Sequence, residues 1–448
     1  MTDKKIPTAL GTEKVGKLLA QYAIPSIIAM TASSLYNMVD SIFIGQGVGA
    51  MAISGIAITF PLMNVAGAFG SLVGVGAATL VSVKLGQKDY DTARHVLGNV
   101  VDLNIGLGLL LTVVALIFLD PILYFFGASE NTIPYARDYM QIILLGNVIT
   151  HLYFGMNALL RASGHPKDSM YATIATVVVN TILDPIFIFG LDMGIRGAAV
   201  ATVIAQSLSL MWQIKLFSNK NELLHFSRGI FSLKKRIVTA SLSIGMAPFL
   251  MNLASCLVVI LINKALMRTS GDYAIGAYGV VNRLVFVAVM VVVGLNQGMQ
   301  PIAGYNYGAK LYHRVTGVLK ITVMWATLVT TTAFLLGELV PEVLVRIFTT
   351  DEELVRISVR ALRIMVLVFP VVGFQMVTTN FFQSIGMAPK AIFLSLTRQL
   401  LFLLPCILIL PEIFGVDGVW YSMPLSDLIS TIVAAVMLWM QFRKFKKI

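Results

Sequence analysis

Two aspartates stand inside long apolar stretches of this 448-residue sequence. Asp40 lies in the stretch SLYNMVDSIFIG, and Asp184 lies in the stretch VVVNTILDPIFIFG. A charged side chain near the centre of a bilayer costs at least about 2.5–3.5 kcal/mol on insertion scales, so an ionisable residue kept there calls for a functional hypothesis. Asn180 precedes Asp184 by four residues and therefore shares its face of a helix.

Further polar side chains accompany these aspartates. Tyr36 and Asn37 precede Asp40 by four and three residues. Thr202 adds a hydroxyl from the sixth predicted helix, which follows the helix of Asp184. Two carboxylates, an amide and a hydroxyl can bind Na⁺ through their oxygen atoms. They can equally share a proton, because two buried carboxylates repel each other when both are charged. The alternative is that these groups are hydrogen-bonded packing elements or lie in a water-exposed mouth. The predicted coupling residues for H⁺ or Na⁺ are Asp40, Asn180, Asp184 and Thr202.

A second set of side chains could line a substrate cavity, since each combines an apolar body or stem with a polar tip. A packing role is the ordinary alternative for each of them. Pro25 is a candidate hinge, because a bend there would move Asp40, and a static kink is the alternative. The cavity candidates are Tyr36, Asn37, Asn64, Tyr139, Asn147, Asn157, Gln206, Asn282, Gln297, Gln300 and Gln375.

The second half of the chain lacks a matching pair of carboxylates. Asn263 stands at the position that corresponds to Asp40, and Pro405 falls near the position that corresponds to Asp184. We therefore expect the main ion chemistry to be one-sided. Asp102, Asp427 and Arg398 are further charged residues inside predicted spans. For Asp102 and Asp427, the alternative to a functional role is a hydrogen-bonded structural role. Arg398 either faces a cavity or extends towards the cytoplasm.

Composition places most of this chain in lipid. Hydrophobic residues make up 57% of it and charged residues only 12%, against roughly 25% charged residues in a typical soluble domain. The first apolar run is too long for the core of a signal peptide, so we expect it to be retained. About twelve helices of spanning length are predicted, near 16–43, 52–83, 95–119, 133–160, 169–190, 196–216, 237–267, 275–305, 316–338, 357–384, 388–411 and 417–441.

The chain repeats itself with an offset of 221 to 223 residues, as in KLGQKDY at 84–90 and NYGAKLY at 306–312. We therefore predict a six-helix bundle at 1–217, a cytoplasmic linker at 218–236 and a second six-helix bundle at 237–448. Six helices return the chain to the same side, so an axis along the membrane normal should relate the halves. Most of the Lys and Arg residues, which give the chain its net charge of +11, lie in segments that are cytoplasmic if the N-terminus is inside. We therefore expect both termini to be cytoplasmic. We expect the protein itself to lie in the inner membrane of a bacterium.

These residues and this organisation resemble the multidrug and toxic compound extrusion (MATE) family. The resemblance rests on SLYNMVDSIFIGQGVGAMAISGIAITFP at 34–61, on the LDP at 183–185 and on the two halves. It is closest to the branch of DNA-damage-inducible and MepA-like exporters. The family implies antiport of H⁺ or Na⁺ against lipophilic, cationic drugs, with Asp40 matching an acidic residue implicated in cation coupling. The acidic residues that another branch carries in its seventh and tenth helices are absent here.

Other functions remain open at this point. A flippase for lipid-linked saccharides is the runner-up, but it would favour several cavity cations, and few stand well inside predicted spans, mainly Arg283 and Arg398. A membrane-embedded enzyme should show clustered His, Asp or Glu, and an ATP motor a phosphate-binding loop, and neither pattern occurs in the sequence. We expect a monomeric transporter that is not an enzyme and needs no cofactor beyond the coupling ion. Its expected partners are small organic substrates and membrane lipids, not nucleic acid.

Overall fold

The computed structural model of the protein describes residues 7–445. Within that range it leaves out the side chains of five residues, Asn37, Met38, Ala50, Ile53 and Asp272, and the surroundings of Gly45. The helices of the first half are α1 (Ala9–Thr12), α2 (Val15–Gly47), α3 (Ala50–Gly86), α4 (Tyr90–Ile117), α5 (Leu119–Phe125), α6 (Ile133–Leu145), α7 (Asn147–Ala162), α8 (Pro166–Pro185) and α9 (Ile195–Phe217). Those of the second half are α10 (Lys235–Ser270), α11 (Asp272–Gly308), α12 (Tyr312–Leu339), α13 (Pro341–Arg346), α14 (Glu352–Val366), α15 (Phe369–Ser384), α16 (Ala388–Leu396), α17 (Leu404–Phe414) and α18 (Val416–Phe445). Two π-helical segments, Ile186–Gly190 and Thr397–Leu403, complete the set.

The spans confirm the predicted class, an all-α membrane protein. Ten spans in the described residues are long and apolar enough to cross a membrane, and there are up to twelve if each of two bent pairs counts as one span. The bent pairs are α6 with α7 and α14 with α15, and each bends by 55°. The chain is therefore a multi-pass membrane protein.

The two bends interrupt segments that the hydrophobic pattern predicts as single helices. Gly146 separates α6 from α7, and a Cβ atom added there would lie 2.5 Å from Val203 Cγ2. Pro370 stands in the first turn of α15, where it has no N–H to continue a preceding helix and disfavours helical geometry in the residue before it. Hydrophobicity does not report either effect, because both breaks lie in apolar sequence.

Two compact units make up the chain, and three of the five points at which the chain passes between them lie inside helices. One unit comprises Met1–Glu13, Ile28–Phe249 and Gly304–Lys310, and the other comprises Lys14–Ile27, Leu250–Ala303 and Leu311–Ile448. The division at 1–217, 218–236 and 237–448 remains a prediction.

Inside α2, α10 and α11, the passage of the chain from one unit to the other lies one or two residues beyond a proline. These prolines are Pro25, Pro248 and Pro301. The passages in α2 and α10 are also 222 residues apart, at the repeat offset. The first parts of these two helices are therefore exchanged between the units. A proline inside a helix removes one backbone hydrogen bond, so each passage lies beside a locally weakened turn.

Glycines bring helix backbones into direct contact within the first unit. A Cβ atom on Gly76 of α3 would lie 1.9 Å from the Ser241 carbonyl oxygen of α10, and one on Gly245 would lie 1.8 Å from the Leu72 carbonyl oxygen. Small residues permit this approach between membrane helices, where van der Waals packing replaces the hydrophobic effect as a driving force. This crossing therefore has no space for a larger side chain.

The segment between α9 and α10 packs against the first unit. Leu223, Leu224 and Ile230 are buried. Asn99 Nδ2 donates to the Ser232 carbonyl oxygen at 2.9 Å, and the Lys234 N–H donates to Asn99 Oδ1 at 3.0 Å. This linker is thus held on α4 by specific contacts and differs from a solvated loop.

Replacing Gly76 by alanine should destabilise the protein strongly, because even a methyl group overlaps the Ser241 backbone. Gly106→Ala on α4 is the matched control, since nothing lies within 4 Å of its added Cβ and alanine favours a helix by about 0.5–1 kcal/mol over glycine. Thermal unfolding of the detergent-purified variants, followed by size-exclusion chromatography, measures the difference. Equal melting temperatures for the two variants would contradict the crossing.

Candidate functional site

The predicted coupling residues come together within the first unit. Helix α2 carries Tyr36 and Asp40 one turn apart, α8 carries Asn180 and Asp184 one turn apart, and α9 carries Thr202. Each pair spaced by four residues presents both side chains on one face, so the meeting of α2 with α8 brings four polar groups together. Asp184 and Asn180 are buried, and Asp40 is 9% exposed.

Asn180 is the centre of the hydrogen-bond network. Its side-chain nitrogen Nδ2 donates to the Tyr36 hydroxyl oxygen at 2.5 Å and to Asp184 Oδ2 at 2.9 Å. The Tyr36 hydroxyl also lies 3.4 Å from Thr202 Oγ1, which donates to the Ala198 carbonyl oxygen at 3.1 Å. The amide of Asn180 therefore connects α8 to α2, and the Tyr36 hydroxyl extends the network to α9.

The two carboxyl groups meet in this network. Asp40 and Asp184 lie within hydrogen-bonding reach of each other, and the buried Tyr139 of α6 lies near both. Within the described part of the chain, neither aspartate forms an ion pair with a Lys or Arg side chain. Two acidic groups thus share one buried site with no counter-charge among those residues.

Three oxygen atoms of the site have no hydrogen-bond donor among the described residues. They are Asp40 Oδ1, Asn180 Oδ1 and Asp184 Oδ1, and all three are buried. A buried acceptor without a donor is costly. A proton would satisfy a carboxylate oxygen, and a Na⁺ ion would accept several of these oxygens as ligands at once. The chemistry of the site therefore fits a small cation.

The backbone beside Asp184 departs from a regular α-helix. Pro185 ends α8, and the chain continues as the π-helical segment Ile186–Gly190. Proline has no N–H for the carbonyl one turn earlier, which is that of Thr181. π-Helical turns of this kind occur frequently at functional sites.

Among the other cavity candidates of the first unit, Gln206 lies next to this network. It is one turn beyond Thr202 on α9, and its Oε1 accepts from Thr150 Oγ1 at 2.5 Å. Asn64 is half-buried on α3. The side chain of Asn37 lies outside the described residues.

Asn157 belongs to a separate network. Its Nδ2 donates to the Ser169 carbonyl oxygen at 3.1 Å and to Thr173 Oγ1 at 3.2 Å, and its Oδ1 accepts from Arg161 Nη1 at 2.5 Å. Ser169 and Asp184 are fifteen residues apart on α8, or about 22 Å along the helix axis. Asn157 is thus committed to holding Arg161 and does not reach the carboxylates. Asn147 likewise donates to a backbone oxygen, that of Gly108, at 3.3 Å.

The remaining candidates lie in the second unit. Asn282 is exposed, Gln297 is half-buried and Gln300 is buried, all on α11. Gln375 donates to Thr379 Oγ1 at 3.3 Å. Pro25 lies inside α2, in the part that belongs to this unit.

One pairing was not predicted from the sequence. Arg398 Nε donates to Asp427 Oδ1 at 2.6 Å, so Arg398 does not extend to the cytoplasm to find a partner. The only signal in the sequence was one isolated charge of each sign on two consecutive predicted helices.

Fold and site together define the class of the protein, a multi-pass membrane transporter with a buried polar site between apolar helices. The sequence profile of the MatE family matches residues 25–186 and 244–408, which is most of the chain. The protein therefore belongs to the MatE family, the MATE transporters. It is a transporter of small compounds from a family of multidrug exporters and is not an enzyme.

Similar proteins agree with this assignment. The chain is 29% identical to the multidrug export protein MepA of Staphylococcus haemolyticus over 93% of this chain and 92% of that protein. It is 27% identical to MepA of Staphylococcus aureus (strain MSSA476) over 95% of this chain and 94% of that protein. A structure of the MATE multidrug transporter DinF-BH shares 36% identity at a TM-score of 0.90 over 98% of each chain. An outward-facing MATE family transporter at 22% identity shares the fold, with a TM-score of 0.93 over 99% of this chain and 100% of that one.

Asn180→Ala should lower the stability of the protein by about 1–3 kcal/mol, because the Tyr36 hydroxyl and Asp184 Oδ2 lose their donor in a buried site. Thr181→Ala, one residue further along α8, is the matched control, since the Thr181 hydroxyl donates only to the Val177 carbonyl oxygen of its own helix. Thermal unfolding in detergent gives the comparison. A melting temperature for Asn180→Ala at or above that of Thr181→Ala would count against the network.

Proposed function

We propose that this protein is a secondary active exporter. It exchanges an inward flow of H⁺ or Na⁺ for the outward movement of lipophilic organic cations, by alternating access. The observation that carries the proposal is the pair of buried carboxyl groups, Asp40 and Asp184, within hydrogen-bonding reach of each other and with one donor-less oxygen each.

The charge of this site depends on what occupies it. With both carboxylates ionised and nothing bound, two like charges stand in an apolar bundle, where charge is costly. A shared proton or a bound Na⁺ removes one of these charges and supplies the missing partner of the carboxylate oxygens. For Na⁺, the ligands would come from Asp40, Asn180, Asp184 and Thr202, all of which offer oxygen atoms.

The exchange of ion for substrate follows if both bind to the same negative charge, that of Asp40 and Asp184. An organic cation satisfies the two carboxylates electrostatically, so it competes with H⁺ or Na⁺ for them. Tyr36 and Tyr139 lie beside the carboxylates, and their rings can add a cation–π attraction for a flat cationic compound. The names of the two MepA relatives, which are multidrug export proteins, support the export of drugs.

Coupling needs two conformations that bind the ion with different affinity, because a ligand shifts an equilibrium only by its differential affinity for the two states. Pro25 is the proposed hinge. It lies fifteen residues before Asp40 on the same helix, and the passage of α2 from one unit to the other follows it by two residues. A bend at Pro25 would change the position of α2, and hence of Asp40, relative to α8.

Asp40→Asn should abolish gradient-driven transport, because an amide can neither bind the coupling proton nor supply the negative charge for Na⁺. Proteoliposomes holding an organic cation dye are tested with a proton gradient and a Na⁺ gradient imposed separately. Asp192→Asn is the matched control, since Asp192 is exposed in the loop after the π-helical segment. The same loss is expected for Asp184→Asn.

Three results of this assay would contradict the proposal. They are transport by Asp40→Asn at the wild-type rate, transport by the wild type with neither gradient imposed, and transport that requires ATP. The gradient that does drive transport identifies the coupling ion.

Pro25→Ala should slow transport while leaving dye binding unchanged, since alanine restores the backbone hydrogen bond to the residue one turn earlier and stiffens α2. Pro61→Ala is the control, because Pro61 also interrupts a long helix but lies within one unit. Turnover in proteoliposomes and dye affinity in detergent are measured side by side. A wild-type turnover for Pro25→Ala would remove the hinge from the mechanism.

A further inference from the structure

The segment 227–236, which leads from the linker into α10, carries an exposed row of cationic and apolar side chains. It ends in the first turn of the span Lys235–Ser270, so it lies where the chain enters the membrane. The exposed side chains of this row, the linker strip, are Arg228, Phe231, Leu233, Lys234, Lys235 and Arg236.

The backbone of this segment is fixed on α4. The side-chain amide of Asn99 donates to the Ser232 carbonyl oxygen at 2.9 Å and accepts from the Lys234 N–H at 3.0 Å. Beside it, Gly98 touches the Ile230 carbonyl group so closely that a Cβ atom would not fit. Ile230 is buried, whereas its neighbour Phe231 is exposed. The fold therefore fixes which side chains of the segment point outwards.

Two large apolar side chains belong to the linker strip. Phe231 is 44% exposed and Leu233 is 59% exposed. The Phe231 ring stacks on Phe226 with the ring centroids 5.9 Å apart, and Phe226 in turn contacts the buried Phe217. Phe231 is thus held rigidly while part of its ring stays uncovered. Phe and Leu side chains next to a span favour the boundary between lipid headgroups and acyl chains.

The positive charge of the linker strip is uncompensated. Four cations stand within positions 228–236, and the sequence has no Asp or Glu between Glu222 and Asp272. Among the described residues, none of these four cations forms an ion pair. Lys and Arg clusters directly beside a span attract anionic lipid headgroups. The strip therefore combines an uncompensated positive charge with apolar side chains at the membrane surface.

We propose that the linker strip is a binding surface for anionic phospholipids of the leaflet that it faces. The lipid phosphates pair with Lys234, Lys235 and Arg236, and the acyl chains cover Phe231 and Leu233. A free phosphate would leave the two apolar side chains uncovered. A zwitterionic lipid carries its own positive charge beside the phosphate and gains less from the cations. An anionic lipid satisfies both parts of the strip.

Lipid binding to the purified full-length protein tests the charged part of the strip. Native mass spectrometry from detergent micelles gives the affinity for dioleoylphosphatidylglycerol and for dioleoylphosphatidylcholine. Each cation near an anionic surface contributes about fivefold to binding. The triple variant Lys234→Gln, Lys235→Gln and Arg236→Gln should therefore weaken phosphatidylglycerol binding at least about tenfold and phosphatidylcholine binding less than about twofold.

A matched triple variant controls for net charge. Lys88→Gln, Lys167→Gln and Lys215→Gln remove three exposed cations that lie outside the strip, and they should change the phosphatidylglycerol affinity less than about twofold. Without lipid, both triple variants should melt at the wild-type temperature, because exposed side chains of this kind contribute little to stability. This comparison separates a local binding surface from the general charge of the protein.

Leu233→Ser tests the apolar part of the strip and leaves the stacking of Phe231 intact. It should weaken the binding of both lipids about threefold to fivefold, because the acyl chains lose a contact that does not depend on the headgroup. The charge variant therefore lowers the affinity for one lipid, and the apolar variant lowers the affinity for both.

Three results would overturn the inference. The first is a wild-type phosphatidylglycerol affinity in the strip triple variant, and the second is an equal loss in both triple variants. The third is complete competition by soluble glycerol phosphate together with unchanged lipid binding by Leu233→Ser, which would identify a free-phosphate site. None of these measurements depends on transport, so the inference and the proposed antiport are tested separately.

Discussion

The site depends on one constraint, which is that a bilayer does not tolerate two ionised carboxylates side by side without a partner. Asp184 and Asp40 meet in a buried site, and the amide of Asn180 there already uses its nitrogen for Tyr36 and Asp184. Its own oxygen and one oxygen of each aspartate then lack donors. In the mechanism that we propose, a cation or a proton supplies these missing partners, so the stability of the site depends on its occupancy. This dependence is the physical basis of the proposed ion coupling.

The two halves solve the problem of buried charge in opposite ways. In the first half, acidic groups accumulate without a counter-ion among the described residues, and in the proposed mechanism the charge of the site changes when an ion binds. In the second half, Arg398 and Asp427 neutralise each other and keep a constant net charge. The acidic pair of the first copy lies on α2 and α8, whereas the balanced pair of the second copy lies on the last two spans. Duplication supplied a common scaffold, and the difference in charge lies in a few side chains.

In the proposed mechanism, the scaffold connects the ion site to movement through the helix ends that are exchanged between the units. The first parts of α2 and α10 belong to the unit opposite the rest of each helix, at positions one repeat apart, and each passage follows a proline. Close glycine contacts such as Gly76 with Ser241 fix the exchanged parts of α10 firmly. The helix backbone is therefore most flexible at the proline turns and most rigid at the glycine crossings. Bending at a few defined turns costs less than repacking a glycine crossing.

The sequence by itself determined the helices and the local faces of the site, since a run of apolar residues and a spacing of four follow from bilayer thickness and helix geometry. The spacing of four residues between Asn180 and Asp184 is an example of such a local face. Only the tertiary structure decided which faces meet. It brought Asp40 to Asp184, turned Asn157 towards Arg161, paired Arg398 with Asp427 and broke a predicted span at Gly146. These outcomes depend on how helices distant in sequence pack, and a periodic pattern records the direction of each side chain but not the neighbour it meets.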